Sequence, residues 1–289
     1  MFKNLDKRWL ALLVLCFGDL MIVLDTTIVN VALPSIREDL GFSETSLVWV
    51  VNAYMLTFGG FLLLGGRLGD LFGHRKLFLA GLVLFTSASL ACGIAQSQEM
   101  LIGARAVQGV GGAVVSAVAL SLIMNLFTEA AERAKAMGVF GFVTAGGGTL
   151  GVLLGGILTD SLNWHWIFLV NLPIGILVFA LCMALVPAKH VKQPGKVDVA
   201  GAIFVTSALM LAVYGIVNGN EDGWHSSQTM WLLGTALLLL LIFLGIESVV
   251  KHPLMPLRMF KNRQLAVANI VGVLWAIAMF AWFFISALY

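Results

Sequence analysis

The chain has 289 residues, of which 60% are hydrophobic and only 11% are charged, and its formal net charge is +2. Soluble domains carry about 25% charged residues, and a water-soluble chain this apolar would have nowhere to bury its apolar surface. Composition therefore excludes an ordinary soluble globular protein, and lipid must surround most of the chain.

Nine apolar runs are long enough to cross a bilayer, whose hydrocarbon core of about 30 Å takes about 20 helical residues. Lipid offers the backbone no hydrogen-bond partners, and the sequence lacks the short alternating segments of a β-barrel, so we expect these runs to be helices. Their approximate bounds are 9–33, 45–66, 77–96, 99–126, 136–160, 166–187, 198–218, 230–250 and 265–288.

Basic residues are distributed unevenly between the two sides of this predicted topology. Fifteen of the seventeen Lys and Arg residues lie on the side of the N-terminus. Because basic residues stay in the cytoplasm, we expect a cytoplasmic N-terminus and, with nine spans, an extracytoplasmic end of this chain. On the opposite side, four tryptophans near helix ends are expected to form an interfacial aromatic belt: Trp164, Trp166, Trp224 and Trp231.

Two carboxylates interrupt the first run. Asp25 lies mid-span, where an ionised carboxylate costs about 3 kcal/mol or more, so we expect it to face a cavity or a partner and to exchange a proton. The alternative is a structural carboxylate satisfied by neighbouring hydroxyls such as that of Thr26. Asp19 lies six residues earlier, about 120° round the helix, so the two should not share one narrow face. For Asp19, a second cavity carboxylate and a boundary residue are equal alternatives.

The second and third runs flank a charged string, GGRLGDLFGHRKL, at 65–77. We expect a short cytoplasmic loop in which glycines permit a tight reversal, Asp70 accepts hydrogen bonds, and Arg75 and Lys76 anchor the turn. Such a loop can act as a charged latch that holds two helix bundles together in one state. The alternative, simple accumulation of basic residues on the cytoplasmic side, explains neither Asp70 nor the glycine spacing.

The fourth run carries a polar stripe. Arg105, Gln108, Gly109, Gly112 and Ser116 fall on one helix face, and the opposite face is aliphatic. A guanidinium cannot lose its charge, so Arg105 must be paired or hydrated. The stripe predicts a polar interior surface, and the alternative is a lone Arg that reaches toward the membrane interface.

The fifth run is rich in glycine. Gly147, Gly151 and Gly155 recur at every fourth position, and Gly148 and Gly156 form a second such row. Missing side chains let another helix approach closely, so we expect these glycines to pack against a neighbouring helix.

Several of these strings resemble signatures of the major facilitator superfamily. The string Gly66-x-Leu68-x-Asp70-x-x-Gly73-x-Arg75-Lys76 resembles its loop signature, although Leu71 stands where a basic residue is common. The segments 24–34, LDTTIVNVALP, and 164–175, WHWIFLVNLPIG, resemble the first and sixth helices of its fourteen-span drug:proton antiporter branch. His165 stands where that branch often has Arg.

Two further strings fit the same family. The residues 105–112, RAVQGVGG, resemble its fourth-helix motif. The string 151–156, GVLLGG, resembles the Gly-Pro-x-x-Gly-Gly string of the superfamily's antiporters, with Val152 in place of the proline. This departure weakens the support that the string gives to antiport.

The resemblance implies an all-α integral membrane protein of major facilitator type. The N-terminal six-helix lobe would occupy 1–187, a cytoplasmic linker 188–197, and two additional transmembrane helices 198–250. The segment 251–289 would hold a cytoplasmic loop and the first helix of the second lobe. The resemblance implies fourteen helices, whereas this sequence contains nine predicted spans.

The implied function is a proton-coupled efflux transporter that exports small amphipathic or cationic compounds, such as drugs or antibiotics, across the cell membrane by alternating access. The resemblance places substrate recognition and proton binding at Asp25 and implies a role in proton coupling for Arg105. We expect no enzyme activity, cofactor, metal site or nucleic-acid partner; the expected partners are a small-molecule substrate, protons and the lipid bilayer. The alternative is a truncated, non-transporting membrane protein, or one that needs a partner half to transport.

Overall fold

A computed structural model describes residues 7–187, 198–250 and 253–288, and the side chains of these residues except 199, 220–222 and 279–288. Throughout these segments the chain forms helices and no strand, which confirms the all-α fold class. The helices are α1 Lys7–Leu40, α2 Glu44–Phe72, α3 His74–Gly93, α4 Gln98–Leu126, α5 Ala130–Ser161, α6 Trp166–Leu169, α7 Asn171–Leu185, α8 Val199–Asp222, α9 Ser227–Val249 and α10 Arg263–Leu288. A 3₁₀ turn, Leu257–Lys261, precedes α10.

Eight segments of the described chain are long and apolar enough to cross a membrane. The sixth of them, Trp166–Leu185, combines α6 and α7 and is interrupted at Val170. The ninth predicted run falls in α10, and the predicted linker at 188–197 lies outside the described residues. Helix α1 continues through Pro34 to Leu40, beyond the predicted end of the first run at 33. The prediction ended early because hydropathy marks only the part of a helix that lies in lipid, not where its backbone hydrogen bonds end.

Helices α1 and α4 lie at the centre of the first six spans. Helix α4 packs closely along both α2 and α3, while α1 packs along α5 and also contacts α4 and α7. Apolar side chains fill the interior in two clusters, one around Phe78 and Phe85 and the other around Ile28 and Phe168. The polar residues of α1 and α4 therefore meet between two apolar layers.

Close packing of α5 on α1 depends on one row of glycines. A methyl group placed on Gly147 would lie 2.7 Å from Leu20 Cδ1, and one on Gly155 would lie 3.0 Å from the carbonyl oxygen of Ile28. At Gly151 the same group would collide with the Thr27 hydroxyl. Gly156 takes no part in this contact, since nothing described lies within 4 Å of the position of its missing Cβ. It belongs to the neighbouring glycine row, which lies on another face of α5.

The expectation of a loop at 65–77 is wrong. Residues up to Phe72 belong to the last turns of α2, α3 begins at His74, and Gly73 alone separates the two helices. Gly73 has φ +101°, a conformation that favours glycine, so it makes the reversal. Gly69 serves a different purpose: it is helical, and a methyl group there would lie 3.0 Å from Val118 Cγ2 of α4.

Trp164 departs from the predicted interfacial belt. Its side chain is buried, its Nε1 donates a 2.8 Å hydrogen bond to Asp39 Oδ2, and its ring stacks on His165. Trp166, Trp224 and Trp231 are exposed, as a belt requires. The acceptor that Asp39 of α1 provides explains the difference, because an indole N–H can be buried when it finds a partner.

The hairpin of α8 and α9 packs on the first six spans through α2. The Thr206 hydroxyl of α8 donates a 2.8 Å hydrogen bond to the carbonyl oxygen of Gly60, where α2 has no side chain. At the same open end of the hairpin, where α9 finishes, the carboxylate of Glu247 accepts hydrogen bonds of 3.0 Å from the backbone N–H groups of Leu254 and Met255. These bonds fix the chain as it leaves α9.

Candidate functional site

Asp25 of α1 and Arg105 of α4 form an ion pair inside the bundle. Arg105 Nη1 donates a 2.5 Å hydrogen bond to Asp25 Oδ2. The side chains are 0% and 1% exposed, so water does not screen the pair. Each charge stabilises the other in these surroundings, because leaving one of them buried without its partner would cost several kcal/mol of folding free energy.

Amide side chains satisfy the second oxygen of Asp25. Gln108 Nε2 of α4 donates to Asp25 Oδ1 at 2.8 Å, and Asn171 Nδ2 of α7 donates to the same atom at 3.0 Å. The Thr26 hydroxyl, the alternative partner considered from the sequence, donates instead to the carbonyl oxygen of Val23. Three helices therefore converge on one carboxylate.

The guanidinium of Arg105 is held on several sides. Its Nε donates to the carbonyl oxygen of Val50 at 3.0 Å, and its Nη1 also donates to Gln108 Oε1 at 2.7 Å. The rings of Tyr54 and Phe168 lie 4.3 Å and 5.6 Å from its central carbon, within the range of cation–π attraction. Arg105 is thus fixed in the interior and does not reach toward an interface.

A second group of polar side chains extends the site toward α3. Asn171 Nδ2 also lies 2.9 Å from the Ser89 hydroxyl oxygen, and the Ser89 hydroxyl donates to the carbonyl oxygen of Phe168. The break at Val170 places Asn171 at the start of α7. Neither Asn171 nor Ser89 was predicted as a site residue from the sequence, where Asn171 stood only within the string 164–175. The signal that could have found both is a polar side chain inside an apolar run.

Asp19 contacts the same helix as Asp25. The Ser116 hydroxyl of α4 donates a 2.5 Å hydrogen bond to Asp19 Oδ1, and Asp19 is 6% exposed. Although about 120° separates the two carboxylates around α1, both reach the polar stripe of α4. Ser116 lies eleven residues beyond Arg105, so one helix face holds both acids at different depths.

The glycines of the α4 stripe bring α2 close to the site. A methyl group on Gly109 would lie 2.4 Å from the carbonyl oxygen of Tyr54, so only glycine fits here. The Thr57 hydroxyl of α2 donates to the carbonyl oxygen of Ala106 at 2.7 Å across this contact. Such packing holds the ring of Tyr54 beside the Arg105 guanidinium.

Comparison with known proteins decides the family. Residues 15–289 match the family profile described as Major Facilitator Superfamily. The chain belongs to the major facilitator superfamily. The structure thereby places a buried Asp–Arg pair between the first and fourth helices of a superfamily member.

Relatives of this superfamily member include antibiotic resistance and export proteins. The chain is 42% identical over 250 residues to the puromycin resistance protein pur8 of Streptomyces alboniger, which covers 86% of this chain and 50% of pur8. It is 40% identical over 280 residues to the cephamycin export protein CmcT of Amycolatopsis lactamdurans, covering 96% of this chain and 58% of CmcT. The chain therefore spans about half the length of these curated relatives.

Solved structures show that the superfamily fold is shared. A crystal structure of the peptide transporter POT in complex with sulfate matches with a TM-score of 0.63 at 17% identity. That match covers 86% of this chain and 57% of the peptide transporter. At this identity the comparison concerns the fold and not the compound carried.

The superfamily's loop signature occupies the end of the bundle where α2 meets α3. Asp70 Oδ1 lies 3.1 Å from His74 Nε2, and Asp70 Oδ2 lies 4.0 Å from Arg67 Nη1. Arg75 Nη2 donates a 2.6 Å hydrogen bond to the carbonyl oxygen of Met183, at the C-terminal end of α7. This bond ties α3 to the sixth span. The other members of the predicted latch are Gly66, Gly73 and the exposed Lys76.

The described residues of this superfamily member hold no group of three or more His, Cys, Asp or Glu side chains that could bind a metal ion. Cys16, Cys92 and Cys182 are buried and free. Within the described part of the first six spans, the buried charged side chains are two carboxylates and one guanidinium, with amides and hydroxyls beside them.

Proposed function

We propose that the chain is the N-terminal lobe, with two additional helices, of a proton-coupled exporter of small amphipathic or cationic compounds. The buried Asp25–Arg105 pair carries this proposal. A titratable carboxylate in the middle of a membrane span is costly, and such groups mark proton or substrate pathways. The names of pur8 and CmcT, a puromycin resistance protein and a cephamycin export protein, support a small-molecule cargo such as an antibiotic.

Proton exchange at Asp25 would act through its partners. In the structure, the carboxylate accepts hydrogen bonds from Arg105, Gln108 and Asn171. Adding a proton removes the charge that holds Arg105 and turns one acceptor oxygen into a donor. The contacts between α1, α4 and α7 would then favour a different arrangement. A cationic compound that competes for Asp25 would displace the proton, which couples cargo to proton movement.

The direction of transport rests on the orientation of the lobe. We infer that the end carrying Arg8, Arg75 and Arg133 faces the cytoplasm, because basic residues are retained there. Protons would enter from the opposite side and leave at this end. The cytoplasmic latch would then consist of two contacts, the bond from Arg75 to the carbonyl oxygen of Met183 and the contact between Asp70 and His74. These contacts would break when the two lobes rotate relative to each other during transport.

Export of a fluorescent cation driven by a pH gradient tests the proposal. The complete reading frame that contains this chain would be compared with its Asp25→Asn variant in inverted membrane vesicles. We expect Asp25→Asn to abolish pH-driven export, because Asn keeps the shape but cannot carry a proton. Asp160→Asn, at an exposed carboxylate on α5, is the matched control and should transport normally. Intact export in Asp25→Asn would reject the coupling assignment.

A second candidate is a protein that does not transport alone. The observation in its favour is that the chain spans about half the length of pur8 and CmcT. Expressing residues 1–289 alone and beside the remaining part of a full-length relative separates the two cases. Export by 1–289 alone would remove this candidate, whereas export only on co-expression would establish it.

A further inference from the structure

Tyr54 of α2 carries a hydroxyl with an unexplained environment. The residue is 0% exposed, and its hydroxyl oxygen has no hydrogen-bond partner among the described residues. Leaving a buried polar group unpaired costs about 1–3 kcal/mol, so such groups are rare and call for an explanation. The ring alone accounts for the contact with Arg105, and the hydroxyl contributes nothing to that contact.

The hydroxyl points along the glycine face of α4. The ring centre lies 4.3 Å from the Arg105 guanidinium carbon, while the hydroxyl oxygen lies 2.9 Å from where a methyl group on Gly112 would be. At a rise of about 1.5 Å per residue, Gly112 is about 10 Å beyond Arg105 and about 6 Å short of Ser116. The hydroxyl is therefore between the Asp25 site and the Asp19–Ser116 pair.

The charged groups around Tyr54 agree with this position. Asp25 and Asp19 from α1 and Arg105 from α4 are the groups whose charges act on the hydroxyl. The thiols of Cys16 and Cys92, also buried and free, are the other titratable groups close to these acids. A neutral hydroxyl that lies between two carboxylates can accept a proton that comes from one of them and donate its own proton toward the other.

We propose that the Tyr54 hydroxyl is the intermediate station of a proton path that joins Asp25 to Asp19 along α4. This inference rests on the proposed function. Six residues separate the two acids, or about 9 Å along α1. Three or four hydrogen bonds of about 2.8 Å cover this distance. The Tyr54 hydroxyl and one or two water molecules between the acids would make these hydrogen bonds.

The transfer balances without an oxidant or a second reactant. Protonated Asp25 releases its proton toward the Tyr54 oxygen, while the proton already on that oxygen moves toward Asp19. The hydroxyl is restored by rotation, Asp19 becomes neutral, and Asp25 becomes the carboxylate that pairs with Arg105. Ser116, which donates to ionised Asp19, becomes its acceptor. Asp19 then releases the proton at the basic end of the bundle.

Tyr54→Phe tests the path because it removes one oxygen and keeps the ring beside Arg105. The complete reading frame would be reconstituted in liposomes, and transport driven by a pH gradient would be compared with substrate exchange at equal pH. Exchange requires no net proton transfer. We expect driven transport to fall about tenfold or more, while exchange and substrate affinity stay near those of the unaltered protein.

Two controls make the test specific to the hydroxyl. Tyr214→Phe removes a hydroxyl from α8, where the ring packs on Trp49, and should leave both rates unchanged. Because Tyr54 and Asp19 would serve one path, the double variant Tyr54→Phe/Asp19→Asn should be no slower than Asp19→Asn alone.

In Tyr54→Phe the solvent deuterium isotope effect on driven transport should rise, since proton transfer then limits the rate.

Each other outcome overturns the path. Driven transport that is unchanged in Tyr54→Phe means that protons do not pass through the hydroxyl. Equal loss of exchange and driven transport means that the hydroxyl supports the structure instead. If Asp25→Asn also exports normally, the proposed function itself has failed. If Asp25→Asn blocks export while Tyr54→Phe does not, the proton path alone is rejected.

Discussion

Replacing Arg105 with methionine should strongly destabilise the protein. Methionine has similar length but no charge, so the variant leaves the Asp25 carboxylate buried with two amide donors and no cation. The carbonyl oxygen of Val50 and Gln108 Oε1 each lose a donor as well. Removing one partner of a buried ion pair costs about 3–5 kcal/mol, and we expect a loss in this range in the free energy of unfolding.

The partner variant separates charge from packing. In Asp25→Asn/Arg105→Met both charges are gone, so no unpaired ion remains buried. We expect the double variant to regain about 2 kcal/mol relative to the sum of the single losses. Arg37→Met is the matched control, because Arg37 pairs with Glu44 at 3.1 Å but both side chains are exposed. Exposed pairs contribute about 0–1 kcal/mol, so its loss should be small.

Equilibrium unfolding of the purified protein in detergent micelles measures these losses. The four proteins of the cycle and the Arg37→Met control would be followed by helical circular dichroism under one set of conditions. Single losses that add to the double loss within about 0.5 kcal/mol would show that the two side chains do not interact. That result would refute the description of the site as one coupled ion pair.

Three further predictions concern the helix ends and the α1–α5 contact. Asp70→Asn should slow pH-driven transport more than it weakens substrate binding in a titration, and equal losses would count against a latch. Arg75→Gln should lower the free energy of unfolding by about 1–2 kcal/mol, because it loses its bond to the carbonyl oxygen at the end of α7; exposed Lys76→Gln is the control. Gly151→Val should cost about 1–3 kcal/mol by collision with α1, whereas Gly156→Val should cost less than about 0.5 kcal/mol, and equal losses would contradict the glycine-row account.

Periodicity and hydropathy predicted much of the fold. The apolar runs located the spans, and the offsets of Arg105, Gln108 and Ser116 predicted one polar face of the fourth helix. Every-fourth spacing of Gly147, Gly151 and Gly155 predicted close helix packing. These patterns are local, because they follow from the repeat of a single helix.

The partners of each polar residue could not be predicted in the same way. A helical pattern gives the direction of a side chain but not which helix lies opposite. For that reason the pairing of Asp25 with Arg105 and Asn171, and the contact of both acids with α4, became visible only in the folded chain. Trp164 illustrates the same limit, since its position near a helix end predicted an interface and its burial depends on Asp39 from α1.

Glycine spacing was also ambiguous at the charged string. Gly69 and Gly73 both permit a turn, but Gly73 alone makes it. Gly69 instead permits contact with α4. A sequence cannot separate these two uses of glycine, because both require only the absence of a side chain. The tertiary contact with Val118 decides between them.

Proton release on substrate binding tests the central claim most directly. A fluorescent cation would be added to the purified protein of the complete reading frame in weakly buffered detergent solution with a pH indicator. The titration would be repeated over a range of pH that includes conditions under which Asp25 holds a proton. There we predict that binding releases protons from the unaltered protein and from Asp160→Asn, and that Asp25→Asn releases none. Equal proton release from Asp25→Asn would contradict the claim that Asp25 exchanges its proton for cargo.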